Sequence, residues 1–78
     1  MILEKIETLR KEIENLTAKN AEETSELYAK YLSKKGEITL LMAEFRNVPT
    51  EIKKEVGIKI NQLKQLATEK INALQNAN

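Results

Sequence analysis

Apolar residues return every three or four positions along most of the chain. Ile2, Ile6, Leu9, Ile13 and Leu16 are spaced 4, 3, 4 and 3, which lines one face of a helix. The positions between them are mostly Glu, Lys, Arg, Thr and Asn, so the spacing predicts a helix over 2–18. Asn20 then reads as an N-cap, with Glu23 in the reciprocal capping-box position. A second series follows in Thr24, Tyr28, Tyr31, Lys35, Ile38, Met42 and Phe45, widened by Leu27, Leu32 and Leu41. It predicts a helix over 21–46, roughly 39 Å long at 1.5 Å per residue. Asn47-Val48-Pro49-Thr50 is the strong breaker, because proline cannot continue one helix but suits the first turn of the next. Ile52, Val56, Ile60, Leu63, Ala67, Ile71 and Leu74 carry the pattern onward and predict a helix over 50–75.

A connection of a few residues makes the last two helices antiparallel neighbours. The expected fold is therefore all-α: a long antiparallel helical hairpin, or coiled coil, with a shorter leading helix, three helices in one domain over 1–78. Pairing about the turn at 47–49 brings Phe45 near Ile52, Ile38 near Ile60 and Tyr31 near Leu66. The leading helix is expected to fold back at the open end, over Tyr28, Ala67, Ile71 and Leu74. Asn76-Ala77-Asn78 supplies no glycine cap, and the domain is expected to be excised from a longer chain.

Composition narrows the chemistry. A chain of 78 residues holds one small core, burying roughly 60% of its unfolded surface. It has no Cys, His, Trp or Asp. Disulfide frameworks, ordinary zinc sites, EF-hand loops and histidine-activated nucleophiles are excluded. Ser25 and Ser33 have no base to activate them. No catalytic residue and no metal ligand is assigned, and the chain alone is not expected to be an enzyme or to need a cofactor. Charge appears within the first four residues and no apolar run approaches a membrane span. A cytoplasmic setting is expected.

The net charge of +1 hides an asymmetry. Residues 1–26 hold seven Glu against four Lys and Arg, whereas residues 27–66 hold eight Lys and Arg against four Glu, a local +4. Lys30, Lys34 and Lys35 lie about a turn apart in the second helical pattern. Lys53, Lys54, Lys59 and Lys64 lie in the third, and Arg46 adjoins the turn. Such residues either form a solvated face or meet phosphate. Gly36 and Gly57 interrupt helical patterns at a cost of about 1 kcal/mol each. Close helix packing accounts for Gly57. For Gly36, beside Lys34 and Lys35, packing and backbone access for a ligand are equally open. Tyr28, Tyr31 and Phe45 are the aromatics; they could stack on bases, but their heptad spacing places them in the core.

Tyr31-Leu32-Ser33-Lys34-Lys35-Gly36-Glu37-Ile38-Thr39 resembles the YLGKKGxLT signature in the N-terminal domain of the bacterial phenylalanyl-tRNA synthetase alpha subunit. Pro49 falls where that family has a Leu-Pro turn. Glu51, Lys53 and Lys54 match its acidic-basic stretch, and Gly57, Asn61 and Lys64 match its GxxxNxxK string. Asn20 stands at its polar helix cap. The sequence departs at Ser33, which replaces the first glycine of GKKG, and at Ala43-Glu44, where many relatives carry a lysine.

The resemblance implies an arm that projects from a catalytic body and meets the outer corner of phenylalanine tRNA. It also implies a parent α2β2 tetramer, with a beta subunit as partner, that uses ATP and magnesium. Lys30, Lys34, Lys35, Gly36, Arg46, Lys53, Lys54 and Lys64 are then the tRNA-binding candidates. Asn20, Pro49, Gly57 and Asn61 are the structural ones, Asn61 as a packing residue or a polar helix–helix bond. The alternative is a coiled-coil module for protein interaction or oligomerisation, in which the regular apolar seam of the leading helix pairs with another chain.

Overall fold

In the computed structural model, residues 2–77 are described, with side chains for residues 2–76. Asn78, part of the expected uncapped end, lies outside them. Four helices follow one another: α1 (Ile2–Glu14), α2 (Ala21–Tyr31), α3 (Glu37–Phe45) and α4 (Thr50–Ala77). The described residues are all-helical, but the three-helix expectation is overturned: the second helix is two. The molecule is elongated, 43 × 20 × 15 Å, with α4 as its spine.

The break between α2 and α3 has a local cause. The Tyr28 carbonyl accepts from both Leu32 N and Ser33 N, at 2.7 and 3.2 Å, which closes α2. Ser33 Oγ donates to the Ala29 carbonyl at 2.6 Å. The Ser33 carbonyl then accepts from Gly36 N at 2.9 Å and from Thr39 Oγ1 at 2.7 Å. Side chains that bond nearby main chain compete with helix propagation. Gly36 caps α3 from extended backbone. A Cβ there would lie 2.5 Å from the carbonyl carbon of Tyr31 and 2.6 Å from its oxygen, so the turn closes only around a residue without a side chain.

The buried row nevertheless keeps its heptad spacing across the break, through Thr24, Tyr31 and Ile38. Thr24 and Tyr31 are buried on α2, and Ile38 and Leu41 on α3. Tyr28 and Lys35, assigned to the same seam by a continuous helix, are exposed.

α1 ends at Glu14 rather than at residue 18. Asn15 Nδ2 donates to the Lys11 carbonyl at 2.9 Å, while Asn15 N and Leu16 N tighten to the carbonyls of Glu12 and Ile13, both at 3.2 Å. Asn20 caps α2, its Oδ1 accepting from Glu23 N at 2.9 Å. The Glu23 carboxylate reaches back to Lys19 N at 2.9 Å, one residue earlier than a capping box places it. At the other connection, the Pro49 carbonyl accepts from Ile52 N at 3.1 Å in the first turn of α4.

α1 does not sit where expected. Ile2 lines a cavity with Val48, Pro49 and Ile52 at the α3–α4 turn, and Lys5 Nζ pairs with Glu44 Oε1 at 3.0 Å. Further along, Ile6, Glu7 and Arg10 face Lys59, Gln62, Leu63 and Leu66. The helix thus runs parallel to α4 over its N-terminal half, filling the furrow between α4 and α3. α2 also packs against α4. Ile6, Leu9 and Ile13 join Tyr31, Ile38, Leu41, Val56, Ile60, Leu63 and Ala67 in one buried cluster. The apolar seam of α1, which the coiled-coil alternative pairs with another chain, is consumed inside the fold.

Gly57 faces Phe45, whose ring carbons would stand 3.3–3.4 Å from an added Cβ. Phe45 therefore packs one turn further along α4 than the pairing with Ile52 alone implies. Asn61 does not serve the helix packing. It follows Ile60 by one residue, about 100° around the helix, and is exposed.

Candidate nucleic-acid interface

Lys34 and Lys35 are exposed and occupy the turn between α2 and α3. Their main chain is held by the bonds from Ser33, Gly36 and Thr39 described above. Two ammonium groups are thus displayed from a fixed bend rather than along a helix side. Gly36 is buried; it shapes this bend and offers no open backbone to a ligand.

The other candidates do not share that position. Lys30, on α2, places its ammonium 5.2 Å from the Tyr31 ring centroid. Tyr31 first, then Glu37 and Glu12, raise its pKa above the ordinary lysine value. Arg46 is the exposed C-cap of α3. Lys53 lies with its ammonium 5.3 Å from the Phe45 ring centroid, a cation–π geometry. Lys54 shares the outer face of α4 with Glu51, Glu55 and Ile58. Lys64 is exposed farther along α4. The candidates form a lysine pair at mid-arm, a cluster around the α3–α4 turn, and a single lysine on the spine.

Acids mark another face. Glu4, Glu12, Glu37 and Glu44 line a groove of about 630 Å³ between α1 and α3, with Leu40 at its edge. Glu37 opens α3, where the helix dipole favours an anion, and its Oε2 is buried without a hydrogen-bond partner among the described residues. Lys5 compensates Glu44. Arg10 pairs with Glu7, and with Glu14 at 2.5 Å. That chelation holds the Glu7 carboxyl below its ordinary pKa, the hydrogen bond from Arg10 being the first cause. With four carboxylates against Lys5, this groove disfavours phosphate.

The aromatics divide. Tyr31 is 1% exposed and belongs to the core, but Tyr28 is 54% exposed, against its expected burial. Tyr28 stands about 40–60° around the same unbroken helix from the buried Thr24 and Tyr31, at the edge of the packed face, which periodicity alone does not separate from its centre.

Among the described residues no cluster of three or more acids, histidines or cysteines has metal-binding geometry. None of their helices is long and apolar enough to cross a membrane.

The comparisons with known proteins identify the family. Residues 19–77 match the family described as the N-terminal domain of class II aminoacyl-tRNA synthetases; the chain belongs to that family. Its similarity to individual members is narrower in kind. It is 60% identical over 76 residues to the phenylalanine–tRNA ligase alpha subunit of Phocaeicola vulgatus, covering 97% of this chain and 22% of that protein. The corresponding protein of Bacteroides thetaiotaomicron is 60% identical over 74 residues, 95% of this chain and 22% of its own length. That of Porphyromonas gingivalis is 49% identical over 72 residues, 92% and 21% respectively. The chain spans about a fifth of the length of these relatives. No solved structure matches it.

Proposed function

We propose that this domain is the tRNA-binding arm of a phenylalanine–tRNA ligase alpha subunit. In this reading it positions phenylalanine tRNA by backbone and shape contacts while the rest of the parent enzyme performs aminoacylation. The observation that carries the reading is the ordered 33–36 bend with Lys34 and Lys35 exposed on it, in a chain 60% identical to such alpha subunits. Phosphate contacts set orientation without reading sequence, and a folded RNA corner is met through its shape. Lys34 and Lys35 make the central phosphate contacts. Lys30, Arg46, Lys53, Lys54 and Lys64 add outlying ones.

In this reading ATP and magnesium belong to the catalytic body of the parent enzyme, and that body and the beta subunit of an α2β2 tetramer are the protein partners of this domain. Charging of tRNA places the work in the cytoplasm.

The test is binding of phenylalanine tRNA to the 78-residue chain across a salt series. Log affinity is expected to fall linearly with log salt. The double variant Lys34→Glu, Lys35→Glu should bind far more weakly, with unchanged helical circular dichroism. Its salt slope should be shallower by roughly one for each phosphate that is no longer neutralised. Equal binding by the two proteins at low salt overturns the assignment.

A further inference from the structure

The exposed tyrosine has no structural task that the fold reveals. Tyr28 is 54% exposed, whereas Tyr31, three residues on, is 1% exposed. The Tyr28 main chain, however, is committed: its carbonyl accepts from Leu32 N and Ser33 N. The residue that carries the open ring is therefore also the anchor of the bend that carries Lys34 and Lys35.

The surroundings of the ring suit a planar ligand. Ala21, Ser25, Tyr28 and Leu32 follow at helical spacing along one edge of α2 and its cap. Ala21 and Ser25 are small and exposed, and no member of this edge is charged. Glu22 and Glu26 stand about 120–160° around the helix from Tyr28. A base approaching Tyr28 meets no long side chain from this edge and no carboxylate on it.

We propose that Tyr28 is a base-stacking residue: it receives an unpaired base of the bound RNA while Lys34 and Lys35 hold neighbouring phosphates. This rests on the tRNA-binding reading and deepens it. An aromatic face beside a cationic backbone site is the combination used to bind unpaired nucleotides, because every base has a π-face and every nucleotide a phosphate.

The chain contains two tyrosines and no tryptophan, so tyrosine emission reports on the ring directly. Phenylalanine tRNA should quench the tyrosine emission of the wild-type chain. It should not quench the emission of Tyr28→Phe, where buried Tyr31 alone emits; comparison at equal RNA concentration removes the effect of RNA absorption. Tyr28→Phe should keep wild-type affinity, since stacking needs the ring and not the hydroxyl. Tyr28→Ala should bind roughly fivefold to a hundredfold more weakly, with the salt slope unchanged and helical content intact. The lysine double variant should instead alter the slope.

Wild-type affinity in Tyr28→Ala, or wild-type emission indifferent to bound tRNA, overturns the stacking role while leaving the arm's function standing. A loss in Tyr28→Ala that appears as a changed salt slope also overturns it, since the ring would then be acting through the lysines. Failure of the wild-type chain to bind tRNA at low salt overturns both readings.

Discussion

The Cβ that Gly36 lacks would stand 2.5 Å from the carbonyl carbon of Tyr31. This close approach joins the two helices that pack along the spine: Tyr31 ends α2 in the core, and Gly36 caps α3 directly against it. The backbone dihedrals of Gly36 are ordinary for any residue, φ −70° and ψ 160°. Space, not conformational freedom, demands glycine.

Gly36→Ala should therefore destabilise the fold. The clash is with main chain, which cannot swing aside, and overpacking of this kind costs about 1–3 kcal/mol. Gly57→Ala meets only the rim of the half-buried Phe45 ring, which can shift by a few tenths of an ångström. It also gains the helix propensity of alanine, about 0.5–1 kcal/mol. The expected outcome is a neutral to mildly stabilised protein. Urea unfolding of the two variants checks the contrast; equal losses would show that Phe45 is as unyielding as backbone.

The tyrosines should separate in stability as they do in exposure. Tyr31→Ala empties a core site and should cost about 3–5 kcal/mol, by analogy with other buried aromatics. Tyr28→Ala, on the surface, should stay within about 0.5 kcal/mol of wild type. Thermal and urea melts of both variants provide the measurement.

Asn20→Ala should lower stability by about 1 kcal/mol, because Glu23 N loses its acceptor. Asn20→Ser should keep most of the capping effect. Amide exchange at Glu23 and Thr24 reports whether the loss begins at the start of α2.

Glu7 should titrate below the ordinary glutamate range because Arg10 hydrogen-bonds its ionised form. A carboxyl depressed in the folded state adds stability above its unfolded pKa. That contribution disappears as pH falls through the lower folded value. Carboxyl NMR should show the depressed midpoint in the wild type and its return towards the ordinary value in Arg10→Ala. An unchanged midpoint in that variant would remove Arg10 as the cause.

Much of the local structure was legible in the chain. Asn20 beside Glu23 marked a helix start, Asn47-Val48-Pro49 marked the turn, and Val56, Ile60, Leu63, Ala67 and Ile71 marked the buried stripe of α4. Lys34, Lys35 and their signature string were also visible without coordinates. The bend was not, because periodicity continued through Ser33 and Gly36 as though a helix tolerated both. Nor was the exposure of Tyr28, which lies at the edge of the face that Thr24 and Tyr31 bury.

By itself the sequence determined that most of the chain is helical — though not the end of α1 or the break between α2 and α3 — where the cap at Asn20 and the turn at Pro49 fall, and which residues bear positive charge. These depend on neighbours within about one helical turn, where spacing and side-chain type act directly. Tertiary structure alone decided that α1 lies along the N-terminal half of α4, pairing Lys5 with Glu44 across 3.0 Å. It alone decided that Gly36 must yield space to Tyr31. An apolar stripe specifies that a helix must be covered, but several surfaces can cover it; the surface that covers α1 is the furrow between α3 and α4.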